Sequence, residues 1–206
     1  MHRRTALSVS AALLVAAPLL TACAGEARPG TAAVVGGERI ATSALQAQVK
    51  DVRAAQDRSP QAAQLIGASA GLERAKLNSM IQSLVLRKAA ADAGLTVSTK
   101  EIEDARKADV QRTGGEKQFQ DMVLQQASIA PGQIDDAIRD RLIVSKLTDK
   151  YGQDKIIEPI AAAAKALGVE VNPRYGSWDA ARIQLTGGKT PWILQKTTPQ
   201  TAPQGA

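Results

Sequence analysis

Apolar positions in this chain recur mostly at intervals of three and four residues, which stacks their side chains on one face of an α-helix. Leu45, Val49 and Val52 mark a first amphipathic helix, broken by Asp57 to Pro60 and followed by a weaker, Ala-rich segment over 61–70. Residues 72–93 carry the strongest pattern, with Leu77, Met80, Ile81, Leu84 and Val85 on adjoining rows, and Gly94 suits the position just past its end. Ser98 and Glu101 stand at capping-box spacing before a polar helix that runs to about Arg112 and closes at Gly114-Gly115. A shorter helix turns Phe119, Met122 and Val123 inward. From Pro131, a good N1 residue, to Tyr151 a long helix repeats Ile134, Ile138 and Leu142 every four residues, supported by Ile143 and Leu147. Ile156, Ile160 and Leu167 give one more, with Pro159 as its kink or its first turn, stopped by Gly168.

Two short stretches have a different pattern. The valine-rich run Ala32 to Gly36, the pair Gly36-Gly37 and the return through Arg39-Ile40 read as a strand, a tight turn and a second strand. Ser43 and Gln46 have capping-box spacing at the helix that follows. Val169-Glu170-Val171 alternates like a half-buried strand, and after Thr186 the chain is dominated by Gly, Pro, Thr and Gln, the composition of a flexible tail. Composition agrees with a mainly α chain, since 38 of 206 residues are Ala and only 2% are aromatic.

The start of the chain is a targeting segment. His2, Arg3 and Arg4 form a basic n-region, and Ala6 to Leu20 is a run of 15 residues without charge. A bilayer-crossing helix needs about 20 apolar residues, so the run is short for a permanent anchor. Leu20-Thr21-Ala22-Cys23 follows, then the small residues Ala24 and Gly25. This resembles the lipobox of bacterial lipoproteins. The resemblance implies that Cys23 receives S-diacylglycerol, that the bond between Ala22 and Cys23 is cut, and that the new amino group is acylated. An ordinary signal peptide beside a chance cysteine, or a core thiol, is the competing reading. Two or more acyl chains hold a protein stably on a membrane where one does not. The expected location is therefore the extracytoplasmic face of the cell membrane.

Removing residues 1–22 leaves 184 residues with no His, 24 basic against 20 acidic side chains, and a formal charge of +4. That balance is too mild and too scattered for nucleic-acid binding. With no His and the lone Cys lipidated, neither a Ser-His-Asp nor a Cys-His relay can form, and zinc ligation loses its usual residues. Asp135-Asp136 and Glu101 with Glu103 or Asp104 are the carboxylate pairs that could act as acid, base or metal ligands. Adjacent helical residues diverge, and acids at helix starts are favoured by the dipole. The sequence thus points to no enzyme, no catalytic residue, no metal, no cofactor and no small-molecule substrate. A solute-binding lipoprotein, which needs two α/β lobes, fits poorly.

The opening Ala33-Val34-Val35-Gly36-Gly37-Glu38-Arg39-Ile40-Ala41-Thr42-Ser43, the helices behind it and the closing run Val169-Glu170-Val171-Asn172-Pro173-Arg174-Tyr175-Gly176-Ser177-Trp178 resemble the N-terminal chaperone module of SurA and the PrsA-type foldases. The resemblance implies a helical body with a small β-pair formed by the N- and C-terminal strands, and a partner class of unfolded or exported polypeptides. The parvulin isomerase domain of some members has no counterpart here. The expected organisation is a signal peptide over 1–22, a lipidated tether over 23–31, the helical domain over 32–180 and a flexible tail over 181–206. Met80 and Met122 suit either a shape-tolerant client surface or the core, and helical spacing favours the core. Tyr175 and Trp178 suit either client contact or pinning of the C-terminal segment to the helices. A structural or assembly lipoprotein with one dedicated envelope partner is the alternative function. The residues that bind a client are not legible in the sequence.

Overall fold

The computed structural model describes residues 30–187. Thr31–Val35 (β1) and Glu38–Ala41 (β2) pair antiparallel through Gly36-Gly37. Both glycines take positive φ, +59° and +82°, which residues with a Cβ adopt at a cost. Gly36 has a second reason to lack a side chain: a Cβ there would lie 2.4 Å from Leu167 Cδ2. The hairpin tip is pressed onto the end of the last helix, where the Gly36 N–H donates to the Leu167 carbonyl at 2.7 Å.

Among the described residues seven α-helices follow: α1 Thr42–Asp57, α2 Ala62–Ala68, α3 Leu72–Asp92, α4 Thr99–Thr113, α5 Glu116–Ala127, α6 Ile134–Tyr151 and α7 Ile157–Leu167. The expected Ser43–Gln46 capping box does not form. β2 runs straight into α1, Ala41 is the cap, and no side chain caps the helix. The Thr42 N–H is instead taken by the Gly30 carbonyl at 2.8 Å, so the residue just before β1 supplies what a cap would have supplied. Pro131 opens not α6 itself but a single 3-10 turn, Pro131–Gln133, in front of it. Pro159 stands in the first turn of α7, where its missing N–H costs nothing.

The Ser98–Glu101 box does form. The Glu101 N–H donates to Ser98 Oγ at 3.2 Å and the Ser98 N–H donates to Glu101 Oε2 at 2.8 Å. Lys146 on α6 pairs with Glu101 Oε1 at 2.5 Å. The Lys146 contact first, then the Ser98 hydrogen bonds, hold the Glu101 carboxyl down at about 2. A carboxyl depressed in the folded state stabilises above its unfolded pKa, and that contribution fades as pH falls from about 4.5 toward about 2. Ser98→Ala is expected to cost about 1 kcal/mol, read as a shift of the urea midpoint at pH 7. An unchanged midpoint would show that the box adds nothing.

The β-pair anticipated between the chain's two ends is present and larger. Glu170–Val171 (β3) pairs antiparallel with β1, Ala33 opposite Val171 and Val34 opposite Glu170, giving the order β2-β1-β3. Because β1 precedes the seven helices and β3 follows them, this pairing wraps the helices into one unit. Residues 181–187, expected in the tail, belong in part to a second hairpin of Ser177–Asp179 (β4) and Gln184–Thr186 (β5). It lies on α3. Arg74 and Gln82 donate to the Leu185 and Ile183 carbonyls at 3.1 and 2.7 Å, and Asn78 Oδ1 accepts from the Leu185 N–H at 2.7 Å.

Packing centres on α3, which meets α1, α6, α7, β1 and β5. Its Leu77, Ile81 and Val85 are fully buried with Leu45, Val35, Leu147, Ala163 and Ala164 in the main apolar cluster. A second cluster joins Val52, Leu65, Leu72 and Leu124 at one end of α1. A third joins Ile102, Phe119, Ile134 and Ile138 among α4, α5 and α6.

Candidate functional site

Among the described residues, two neighbouring concavities share Ile129 and Ala137 as lining residues. One, of about 310 Å³, opens between α4, α5 and α6 and is almost wholly apolar, with Phe119, Met122, Val123, Ile134 and Ile138 as its walls. Asp109 stands at its edge, buried but doubly satisfied by Arg112 at 2.8 Å and Arg141 at 2.6 Å. Arg106 ties the three helices together by reaching Glu116 at 2.5 Å and Asp135 at 2.6 Å.

The other, of about 290 Å³, is a mixed groove bounded by the β1–β2 hairpin, α1, α3 and α6. Ile40, Met80 and Leu84 give it apolar wall. The spacing of α3 explains its polar floor, since Lys76, Ser83 and Arg87 flank the apolar row and turn toward α6. Lys76 is only 8% exposed. Its Nζ donates to Gln133 Oε1 at 2.8 Å, and Gln133 Nε2 donates to the Gln48 carbonyl at 2.9 Å, so one side chain stitches α3 and α1 to the 3-10 turn. Burial pushes the Lys76 ammonium down to about 8. Asp140 is also partly desolvated, and that burial pushes its carboxyl up against the opposing hydrogen bond from Ser83 Oγ at 3.0 Å. Ser83 in turn accepts from Arg87 at 3.1 Å.

Cys23 and Ala22 lie outside the described residues, as does the chain after Gly187. The carboxylate pairs are dispersed into ion pairs. Asp135 goes to Arg106, Asp136 to Arg139, Asp104 to Lys100 at 2.7 Å, and Glu101 to Lys146. Among the described residues no three His, Cys, Asp or Glu side chains converge as metal ligands, and no helix is long and apolar enough to cross a membrane. Met80 and Met122 are each half-buried against a core cluster, as their helical spacing favoured, and each also lines a concavity. Tyr175 and Trp178 pin the C-terminal segment. Tyr175 Oη reaches Glu73 at 3.0 Å, and Trp178 packs on the main cluster, its indole N–H buried with no acceptor among the described residues. Lys76, Gln133 and Asp140 escaped the sequence reading, because a lysine among apolar positions looks like any solvated charge until its neighbours are known.

The described residues thus form a helical body closed by a small sheet, with one apolar and one mixed concavity open on its surface. Residues 2–148 match the SurA-like N-terminal domain family, and the chain belongs to that family. The match stops short of the closing run Val169 to Trp178, on which the resemblance also rested. No curated protein and no solved structure matches the chain.

Proposed function

We propose that this protein is a membrane-tethered holdase: a lipoprotein anchored through Cys23 on the extracytoplasmic face that binds unfolded or exported polypeptides, without isomerase or other catalytic activity. Membership of the SurA-like family carries the reading. The two neighbouring concavities, each walled partly by a methionine, are consistent with it, since unbranched thioether side chains adapt to varied apolar partners. The test is light scattering of an unfolding reporter protein at stoichiometric ratios, with the purified protein in phosphatidylcholine nanodiscs and empty nanodiscs as control. Suppression that persists at high salt marks a general holdase acting through apolar contacts. No suppression overturns the reading and leaves a dedicated envelope partner, to be sought by crosslinking from the tethered protein.

The anchor has its own outcome. Cys23→Ser is expected to abolish metabolic labelling by fatty acid and to release the protein from the membrane fraction after cell lysis. Labelling that survives the substitution removes the lipobox assignment.

A further inference from the structure

We propose that the groove bounded by the β1–β2 hairpin, α1, α3 and α6 binds an extended polypeptide segment bearing an acidic side chain, whose carboxylate pairs with Lys76 Nζ while its apolar neighbours lie on Ile40, Met80 and Leu84. This rests on the polypeptide-binding reading and names the chemistry that selects among polypeptides.

Lys76 is where the charge is unbalanced. Its ammonium has three donors, it is 8% exposed, and the acceptor it finds among the described residues is the neutral Gln133 Oε1. The acids around the groove are engaged elsewhere or face other cations. On α6, Asp136 pairs with Arg139 and Asp140 accepts from Ser83 with Arg87 close by. On α3 the other charge is Arg87, on the hairpin Glu38 and Arg39, and α1 contributes Ala44 and Gln48. Arg39 donates to the Gly30 carbonyl at 2.9 Å. A buried ammonium without a carboxylate is costly to keep, and here it stands in an open groove and not in a closed core. An arriving carboxylate gives it the missing counter-charge through charge-assisted hydrogen bonds, the stronger kind. The volume of about 290 Å³ lies at the small end of ligand pockets, which suits a carboxylate side chain and an apolar neighbour.

The experiment compares two labelled, N-acetylated and C-amidated peptides, identical except for a central Glu or Gln among leucines, by fluorescence anisotropy with the protein in phosphatidylcholine nanodiscs. Capped ends ensure that a chain terminus cannot supply the carboxylate; an uncapped Gln peptide forms the third arm and shows whether a terminus substitutes for the side chain. Wild type is expected to bind the Glu peptide about 10-fold tighter than the capped Gln peptide. Lys76→Met should erase that difference, and Lys117→Gln, on α5 and outside the groove, should leave it in place. Raising the pH from 7 to 9.5 on wild type gives a reading that needs no variant. The lowered Lys76 pKa of about 8 means that its charge, and the discrimination with it, fade over that interval. Equal binding of the Glu and Gln peptides, binding of neither, or discrimination that survives Lys76→Met overturns the proposal. Reporter suppression without Glu/Gln discrimination removes this site and leaves the holdase reading standing; discrimination without suppression does the reverse.

Discussion

Truncating Leu77 to alanine is expected to lower the stability of the whole domain by about 3–5 kcal/mol. Leu77 is fully buried in the cluster that takes in β1, β2, α1, α3, α6, α7 and Tyr175, so the void would open where the hairpin, the C-terminal strand and three long helices meet. Losing the transferred methyl and methylene groups accounts for roughly half of the cost. The remainder is the cavity, which collapses poorly when fully buried Ile81, Val85 and Leu147 already hold fixed positions around the same core. Urea unfolding followed by circular dichroism checks it. The midpoint should fall with the slope unchanged, because the surface exposed on unfolding stays the same. A loss below about 1 kcal/mol would show that the site collapses and that α3 is not the centre of the packing.

That α3 would be central was legible, because its apolar rows are the densest in the chain and its ends carry their own stops. Local signals with a local cause survived folding: the Ser98–Glu101 box, Gly94 and Gly168 past helix ends with φ of +68° and +57°, the Gly36-Gly37 turn. The Ser43–Gln46 box failed for a non-local reason, as the Gly30 carbonyl, twelve residues upstream of α1's first turn only by way of a strand pair, already holds the Thr42 N–H. The pairing of β1 with β3 came from a family resemblance, and no pattern within Val169 to Val171 says which strand it joins. Residues 184–186 fall within the span 181–206 expected as tail, and their own sequence, Gln-Leu-Thr, carries no strand signal. They become a strand because the 74, 78 and 82 row of α3 presents Arg, Asn and Gln side chains to their backbone, a complementarity visible only once the two segments are side by side.

The groove was less legible than the fold, for the same physical reason. Met80 and Leu84 could be placed on a helix face, but whether that face meets core or solvent depends on how far α6 stands from α3. Gln133, which binds Lys76 and α1 together, sits in a turn where no periodicity applies. A polar side chain whose partners come from three elements leaves no signature in any one of them.

Lys76→Met should therefore raise stability, against the usual direction of a substitution at a buried position. The side chain is buried with a neutral partner, and methionine fills similar volume without an ion to desolvate. Gln133 Oε1 keeps the Ala130 N–H at 3.4 Å as a donor when the ammonium is gone. Burial lowers the Lys76 pKa from 10.5 to about 8, so the unfolded chain holds this proton more tightly than the folded one. Between about pH 8 and 10.5 the unfolded state binds more protons, and wild-type stability from this group rises with pH; below about 8 the full penalty applies. A gap of that size corresponds to about 3 kcal/mol at pH 7. The urea midpoint of Lys76→Met should accordingly exceed wild type at pH 7 and converge on it by about pH 10.5. A variant less stable than wild type at pH 7, or an advantage that stays constant with pH, would mean that the ammonium is already balanced in the folded protein, and would remove the reason for expecting a carboxylate to bind there.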